Sequence, residues 1–223
     1  MIVIPRRDRV AERREATRAE ILEAAWDLAQ EKGLAEFTLR DLAERVGMRA
    51  PSLYTHFASK HAIYDAMFGQ AWSDFEQVAL AELANLPPTP RAAIRRMGRV
   101  FFDFAVVNPV RHQLMNQRTI PGFEPSPESY APSVRVYELG VQVFRDLGLT
   151  QSDSDIWGAM IVGMINQQLA NDPGGRRWSA LLDRAIDIWA DGVGLPPDPP
   201  AKNRRATQPR HPRRRNSTTK STS

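Results

Sequence analysis

Residues 38–60 read TLRDLAERVGMRAPSLYTHFASK, and this stretch decides the fold. Thr38 stands where a helix N-cap is needed, and Asp41, three residues on, can reach back to the cap's backbone N–H. Phe37 before the cap can staple onto Leu42. Leu39, Leu42, Ala43 and Val46 then complete one apolar stripe, and Gly47 ends the helix after about two turns. A third short helix follows at once. Pro51 suits its first turn, where the N–H groups have no intrahelical partner. Leu53, Tyr54 and Phe57 supply its packing face, and Ser59 caps a fourth helix running through Ile63, Met67 and Phe68. Two short helices across a tight glycine turn is the arrangement that seats a helix in the DNA major groove. Arg40, Ala50, Ser52, Thr55 and His56 are left facing outward.

Upstream, Ile21, Leu22, Ala25, Leu28 and Ala29 recur at helical spacing from about Thr17 to Lys32, with Gly33 placed to cap the end. Downstream the chain is helix-patterned almost throughout. Breaks fall at 86–90, 108–109, 120–132, 148–153 and 171–175. They predict helices near 91–107, 109–117, 132–147, 153–170 and 177–193. No run of alternating strand patterns occurs, so the expected fold class is all-α. After Leu195 the text is dominated by Pro, Arg, Ser and Thr without apolar periodicity, which predicts disorder.

The chain has 223 residues, 42% of them hydrophobic, enough for a substantial core. It has no cysteine, which excludes disulfides, zinc-finger spacings and thiol catalysis. The apolar start before Pro5 is too short for a signal peptide and no run approaches a membrane span, so a cytoplasmic protein without membrane contact is expected. The net charge of +4 is unevenly spread. Residues 196–223 carry +7 and residues 62–195 carry −4. Arg6, Arg7, Arg9, Arg13, Arg14 and Arg18 make the far amino terminus basic. The middle of the chain is therefore not a nucleic-acid surface. There is no HExxH, Gly-rich phosphate loop or GxSxG, and the histidines are scattered, so no enzyme, metal site or cofactor is expected.

The stretch from Val46 to Lys60, with its Leu53-Tyr54-x-His56-Phe57 core and Lys60 three residues on, resembles the signature of the tetracycline-repressor family of regulators. The likeness covers about residues 15–68. It implies a three-helix helix-turn-helix DNA-binding domain over 15–64, preceded by a basic arm at 1–14. A helical-bundle ligand-sensing and dimerisation domain would follow over 65–195, with a disordered basic tail at 196–223. Carried over position by position, it gives Arg40 a base-reading role, for which the alternative is an ordinary solvated charge. It places Ala50, Pro51, Ser52 and Thr55 on the groove floor. Tyr54, His56 and Lys60 resemble phosphate contacts, with Thr38 and Arg49 beside them. Lys60, in a helix's first turn, would complete an anion site. His56 and Tyr54 serve equally well as packing residues. The arm would lie near the DNA backbone or minor groove unless it is merely solvated, and the tail would add nonspecific electrostatic affinity.

In the second half the likeness is one of helix order alone. It implies a small-molecule site, for which Trp72, Phe101, Phe104, His112, Met115, Trp157, Met160, Met164, Asn166 and Gln167 are the candidates, although such residues are more often core. Asn116 is a further polar candidate. The last two helices stand where the family builds its dimer, which nominates Trp157, Ile161, Leu181, Leu182, Ile186 and Trp189. A homodimer is mechanistically needed, because one short recognition helix reads too few base pairs and a two-fold pair reads a palindrome. A ligand favouring a conformation with mis-spaced recognition helices would release the operator, through the helix that starts at Ser59. The acidic, aromatic-rich middle favours an apolar, neutral or cationic effector over a polyanion. A constitutive DNA-binding protein would instead lack an enclosed cavity. Repressor and activator are indistinguishable at this stage.

Overall fold

The computed structural model describes residues 9–199, which form nine α-helices, one 3-10 turn and no strand. The helices are α1 (Arg9–Lys32), α2 (Leu39–Arg45), α3 (Ala50–Leu53), α4 (Lys60–Leu83), α5 (Pro90–Val107), α6 (Pro109–Asn116), α7 (Pro127–Asp146), α8 (Gln151–Asn171) and α9 (Leu182–Gly192). Among these residues no helix is long and apolar enough to cross a membrane.

Local chemistry fixes the first elements. Thr38 Oγ1 accepts from the Asp41 backbone N–H at 3.1 Å, and the Asp41 carboxylate accepts from the Thr38 N–H at 2.8 Å. That closes a reciprocal cap on α2 with Asp in the role usual for Glu. The same backbone bond, helped by Lys32, holds the Asp41 carboxyl down at about 2. Gly47 has φ +67°, the left-handed conformation that ends α2 and that a side chain would strain. Ser59 caps α4, its hydroxyl accepting from Ala62 N–H at 3.1 Å.

Two cores form. The first gathers Ile21, Ala25, Phe37, Leu42, Leu53 and Ile63 with Met67 and Phe75 of α4, and it also takes in Leu114 and Met115 of α6. The second joins Ile94 and Phe102 of α5, Phe144 of α7, Ile161 and Ile165 of α8 and Ile186 and Trp189 of α9. Gly98 lets α5 and α9 approach: a Cβ there would meet Ile186 Cδ1 at 2.8 Å. α4 packs along α7 and reaches α1 at one end and α5 at the other. It belongs to both halves of the molecule.

Three expectations change. α1 begins at Arg9, so Arg9, Arg13 and Arg14, expected in an arm, are helical; residues 1–8 lie outside the described part. α7 begins at Pro127 rather than near 132, because Ser126 caps it and Pro127 fits its first turn. Pro132 then lies buried inside the helix, where it has no N–H to donate to the preceding turn. Finally, the expected tail is docked at its start. Arg91 Nε donates to the Pro196 carbonyl at 2.9 Å, and Arg95 pairs with Asp198 at 2.6 Å. Residues 200–223, the bulk of the predicted basic tail, lie outside the described part.

Candidate nucleic-acid interface and effector cavity

The short α3 presents Arg49, Pro51, Ser52, Tyr54 and Thr55 to solvent, with Ala50 and His56 half-buried. Leu53 and Phe57 point inward and anchor it. Tyr54 is 56% exposed, so it packs outside the core, contrary to its expected share in the packing face. On α2, Arg40 is exposed and, like Arg49, has no carboxylate partner among the described residues, whereas Arg45 is paired with Glu31 at 2.6 Å and Lys32 with Asp41 at 3.0 Å. The Thr55 hydroxyl donates to Ser52 O at 2.7 Å, which leaves it only acceptor capacity toward a base.

Lys60 is placed differently from expectation. Its ammonium donates to the Ala35 carbonyl at 3.0 Å and lies 4.5 Å from the Phe37 ring centroid and 5.3 Å from that of Tyr64. Burial there pushes its pKa down. The reason is local. The rings of Phe37 and Tyr64 and a loop carbonyl are the nearest electron-rich groups to the first turn of α4, so the cation ties α4 to the α1–α2 loop.

Sequence reading missed the role of α1's arginines. Arg14 Nη2 donates to Thr55 O at 3.3 Å, and Arg18 Nη1 donates to His56 O while its guanidinium stacks on Phe57, 4.1 Å from the ring centroid. These cations satisfy carbonyls at the C-terminal end of the recognition turn, where the helix end is electronegative. The expected place of these arginines is in or beside a basic arm facing DNA, and nothing local points to the carbonyls they bond.

An aromatic-walled cavity of about 420 Å³ lies among α4, α5, α7 and α8. Its wall carries Trp72, Phe75, Phe101, Phe144 and Trp157 together with Met97 and Val100. Of the expected ligand residues, Trp72, Phe101 and Trp157 line it. Phe104, His112, Met115, Met160, Met164, Asn166 and Gln167 do not. His112 is buried and bonds Asn166 Oδ1 at 3.0 Å and Asn116 Nδ2 at 3.2 Å, so these polar residues satisfy one another between α6 and α8. Met164 is buried in the second core, with Met160 packed against it; Phe104 packs on the first core. Gln167 lies exposed on α8. Met115 lines a second cavity, of about 440 Å³, beneath the loop that carries Ile120 and Phe123. Asn116 lines both cavities.

The expected dimer residues are mostly unavailable. Ile161, Leu182, Ile186 and Trp189 are buried within the chain, and Trp157 faces the cavity, because these side chains close the second core. Leu181 remains, 41% exposed. The outer faces of the same helices instead expose Ile156, Ala159, Gly163 and Gln167 on α8 and Ile188 on α9.

The pattern for bacterial regulatory proteins of the tetR family matches residues 21–67, which are α1 to the middle of α4. This segment therefore resembles the amino-terminal domain of TetR-family regulators. Over 47 residues it is 47% identical to the tetracycline repressor protein class A from transposon 1721 of Escherichia coli, covering 21% of this chain and 22% of that one. Over 60 residues it is 43% identical to the transcriptional repressor KstR2 of Mycobacterium tuberculosis, covering 27% and 30%. The chain thus matches less than a third of the length of either curated relative. Beyond this segment the likeness is one of fold. The crystal structure of the TetR-family regulator PfmR from Thermus thermophilus superposes with a TM-score of 0.55 at 22% identity, over 78% of this chain and 98% of that one.

Proposed function

We propose that the chain is a transcriptional regulator, a repressor that binds a palindromic operator as a homodimer and leaves it when a small molecule enters the aromatic-walled cavity. One observation carries this reading. The single helix α4 contributes Ile63, Tyr64 and Met67 to the core under the recognition turn, and Trp72, Phe75 and Ala79 to the cavity wall. A ligand that shifts α4 therefore moves the helix-turn-helix with it, and only its differential affinity for the two arrangements sets the size of the response. A constitutive DNA-binding protein would have no use for a cavity placed there.

Arg40 and Arg49, without carboxylate partners among the described residues, are cations available to base edges and phosphates, and Ser52 and Thr55 give hydroxyls at the groove floor. Lys60 acts within the domain. The homodimer is assigned to the outer faces of α8 and α9. Ile156, Ala159, Gly163 and Gln167 follow each other at helical spacing with small residues in the middle, which permits close helix approach, and Leu181 and Ile188 extend the patch.

The test is selection of bound duplexes from a random pool by the full-length protein, followed by titration with salt and with candidate ligands. Palindromic enrichment with half-sites about one helical turn apart supports the reading. Binding without enrichment that disappears when residues 200–223 are removed would make the basic tail the binder and sink it.

A further inference from the structure

We infer that the effector is an apolar, ring-containing molecule, uncharged or cationic, that presents a hydrogen-bond donor to the side-chain carbonyl of Asn116. This deepens, and rests on, the reading of the aromatic-walled cavity as the effector site.

His112, Asn116, Gln117 and Asn166 form a part-buried network whose proton positions can be worked out. Gln117 Nε2 donates to Asn166 Oδ1 at 3.2 Å, which fixes that atom as an acceptor. His112 Nε2, 3.0 Å from the same oxygen, must then carry its proton. The neutral ring leaves Nδ1 as an acceptor, and Asn116 fills it with its amide N–H at 3.2 Å while also donating to the His112 carbonyl at 3.2 Å. Burial keeps His112 neutral by lowering its pKa, so this tautomer persists at neutral pH. The Asn116 NH₂ is thus committed to His112. Its Oδ1 accepts no hydrogen bond among the described residues, and Asn116 lines the cavity.

Most other polar groups on the wall are acceptors too; the exceptions are the buried indole N–H groups of Trp72 and Trp157, which have no partner among the described residues and can each take an acceptor elsewhere on the same uncharged molecule. Ser133 spends its hydroxyl proton on the Tyr130 carbonyl at 2.7 Å and presents only lone pairs. Glu82, held by Arg96 through two 2.6 Å bonds, and Asp155, which accepts from Gln151 at 2.9 Å, are carboxylates. The Tyr137 hydroxyl oxygen accepts from Gln151 Nε2 at 2.5 Å and keeps its own proton to donate, and the Ser154 hydroxyl can turn either way. No Lys, Arg or His among the described residues lines this cavity. A carboxylate or phosphate entering it would lose its hydration without gaining a cation, whereas a phenol, amide N–H or amine meets acceptors already oriented. Trp72, Phe75, Phe101 and Phe144 supply the apolar faces between which a ring fits.

Calorimetric titration of the full-length protein with naphthol, its methyl ether and naphthoate tests this. These probes share one ring system and differ in donor and charge. Naphthol is expected to bind about 10-fold tighter than the ether and about 100-fold tighter than naphthoate. Asn116→Leu should bring naphthol and ether within about 2-fold of each other. Ser133→Ala, which leaves the His112 network intact, should keep naphthoate the weakest probe. Naphthoate binding as tightly as naphthol, or a folded Asn116→Leu protein that keeps the 10-fold preference, overturns the donor assignment and leaves the cavity a ligand site. No heat from any probe overturns both the assignment and the reading on which it rests.

Discussion

The Arg18 guanidinium stacks on the Phe57 ring, 4.1 Å from its centroid, and from there donates to the carbonyl of His56. One side chain of α1 thereby closes the end of the recognition turn and seals its anchor ring. A helix of four residues cannot hold itself, since isolated helices that short are far from stable, so its orientation is set by such contacts. Arg18→Ala should lower stability by about 1–2 kcal/mol through the lost charged hydrogen bond and stacking. It should also weaken operator binding without changing ligand affinity. Arg18→Lys should recover only part of the loss, because an ammonium cannot stack and bond in the same plane. Urea denaturation and gel-shift titration read both effects; an Arg18→Ala protein with unchanged stability would show the contact to be idle.

Base reading separates Ser52 from Thr55. Thr55 already donates its hydroxyl proton to Ser52 O, so Thr55→Val should cost operator affinity little, while Arg40→Ala should cost about 1–3 kcal/mol and relax selectivity at one base position. A uniform loss across all sequences for Arg40→Ala would make it a phosphate contact instead. Selection on random duplexes distinguishes the two.

What was legible in the sequence was short-range. The Thr38–Asp41 cap, the Gly47 stop and the Pro51 start each act within a few residues, so the helix-turn-helix could be read directly and the structure agrees. The cavity depended on which face of each long helix turns inward, and that is decided by contacts between distant elements. His112 and Asn166 were expected to orient a ligand, yet they lie off the aromatic-walled cavity and bond each other instead. They are 54 residues apart, and nothing local announced that they bond each other. Pro132 was read as a break because prolines usually end helices, although Ser126 and Pro127 already signalled a start. The dimer residues failed for a similar reason: Ile161, Ile186 and Trp189 are large and apolar because they fill the chain's own core.

That distinction makes the dimer face testable. Ile188 is 64% exposed and Ile186, two residues earlier, is fully buried. Ile188→Glu should leave the fold intact and convert the dimer to monomer in sedimentation velocity, with loss of palindrome binding. Ile186→Glu should instead unfold the chain, since a charge would enter the second core. A dimeric Ile188→Glu protein would place the interface elsewhere.

His112 gives the stability a pH dependence with a definite sign. Burial lowers its pKa in the folded chain below the ordinary 6.5, and the bond to Asn166 offsets this only in part. The unfolded chain therefore takes up the proton first as the pH falls. Linkage then makes the contribution of neutral His112 complete above about pH 6.5 and progressively lost below it, levelling off once the folded form is protonated as well. Protonation of the folded form, at the lower end of that window, would also remove the acceptor that holds the Asn116 amide, so ligand affinity should decline only there. Melting temperatures measured from pH 7.5 down to about 5 should show a downward slope in the wild type that is flattened in His112→Gln, whose amide keeps hydrogen-bonding capacity but does not titrate. A slope that survives in His112→Gln unchanged would assign it to other groups and remove His112 from the account of both stability and ligand orientation.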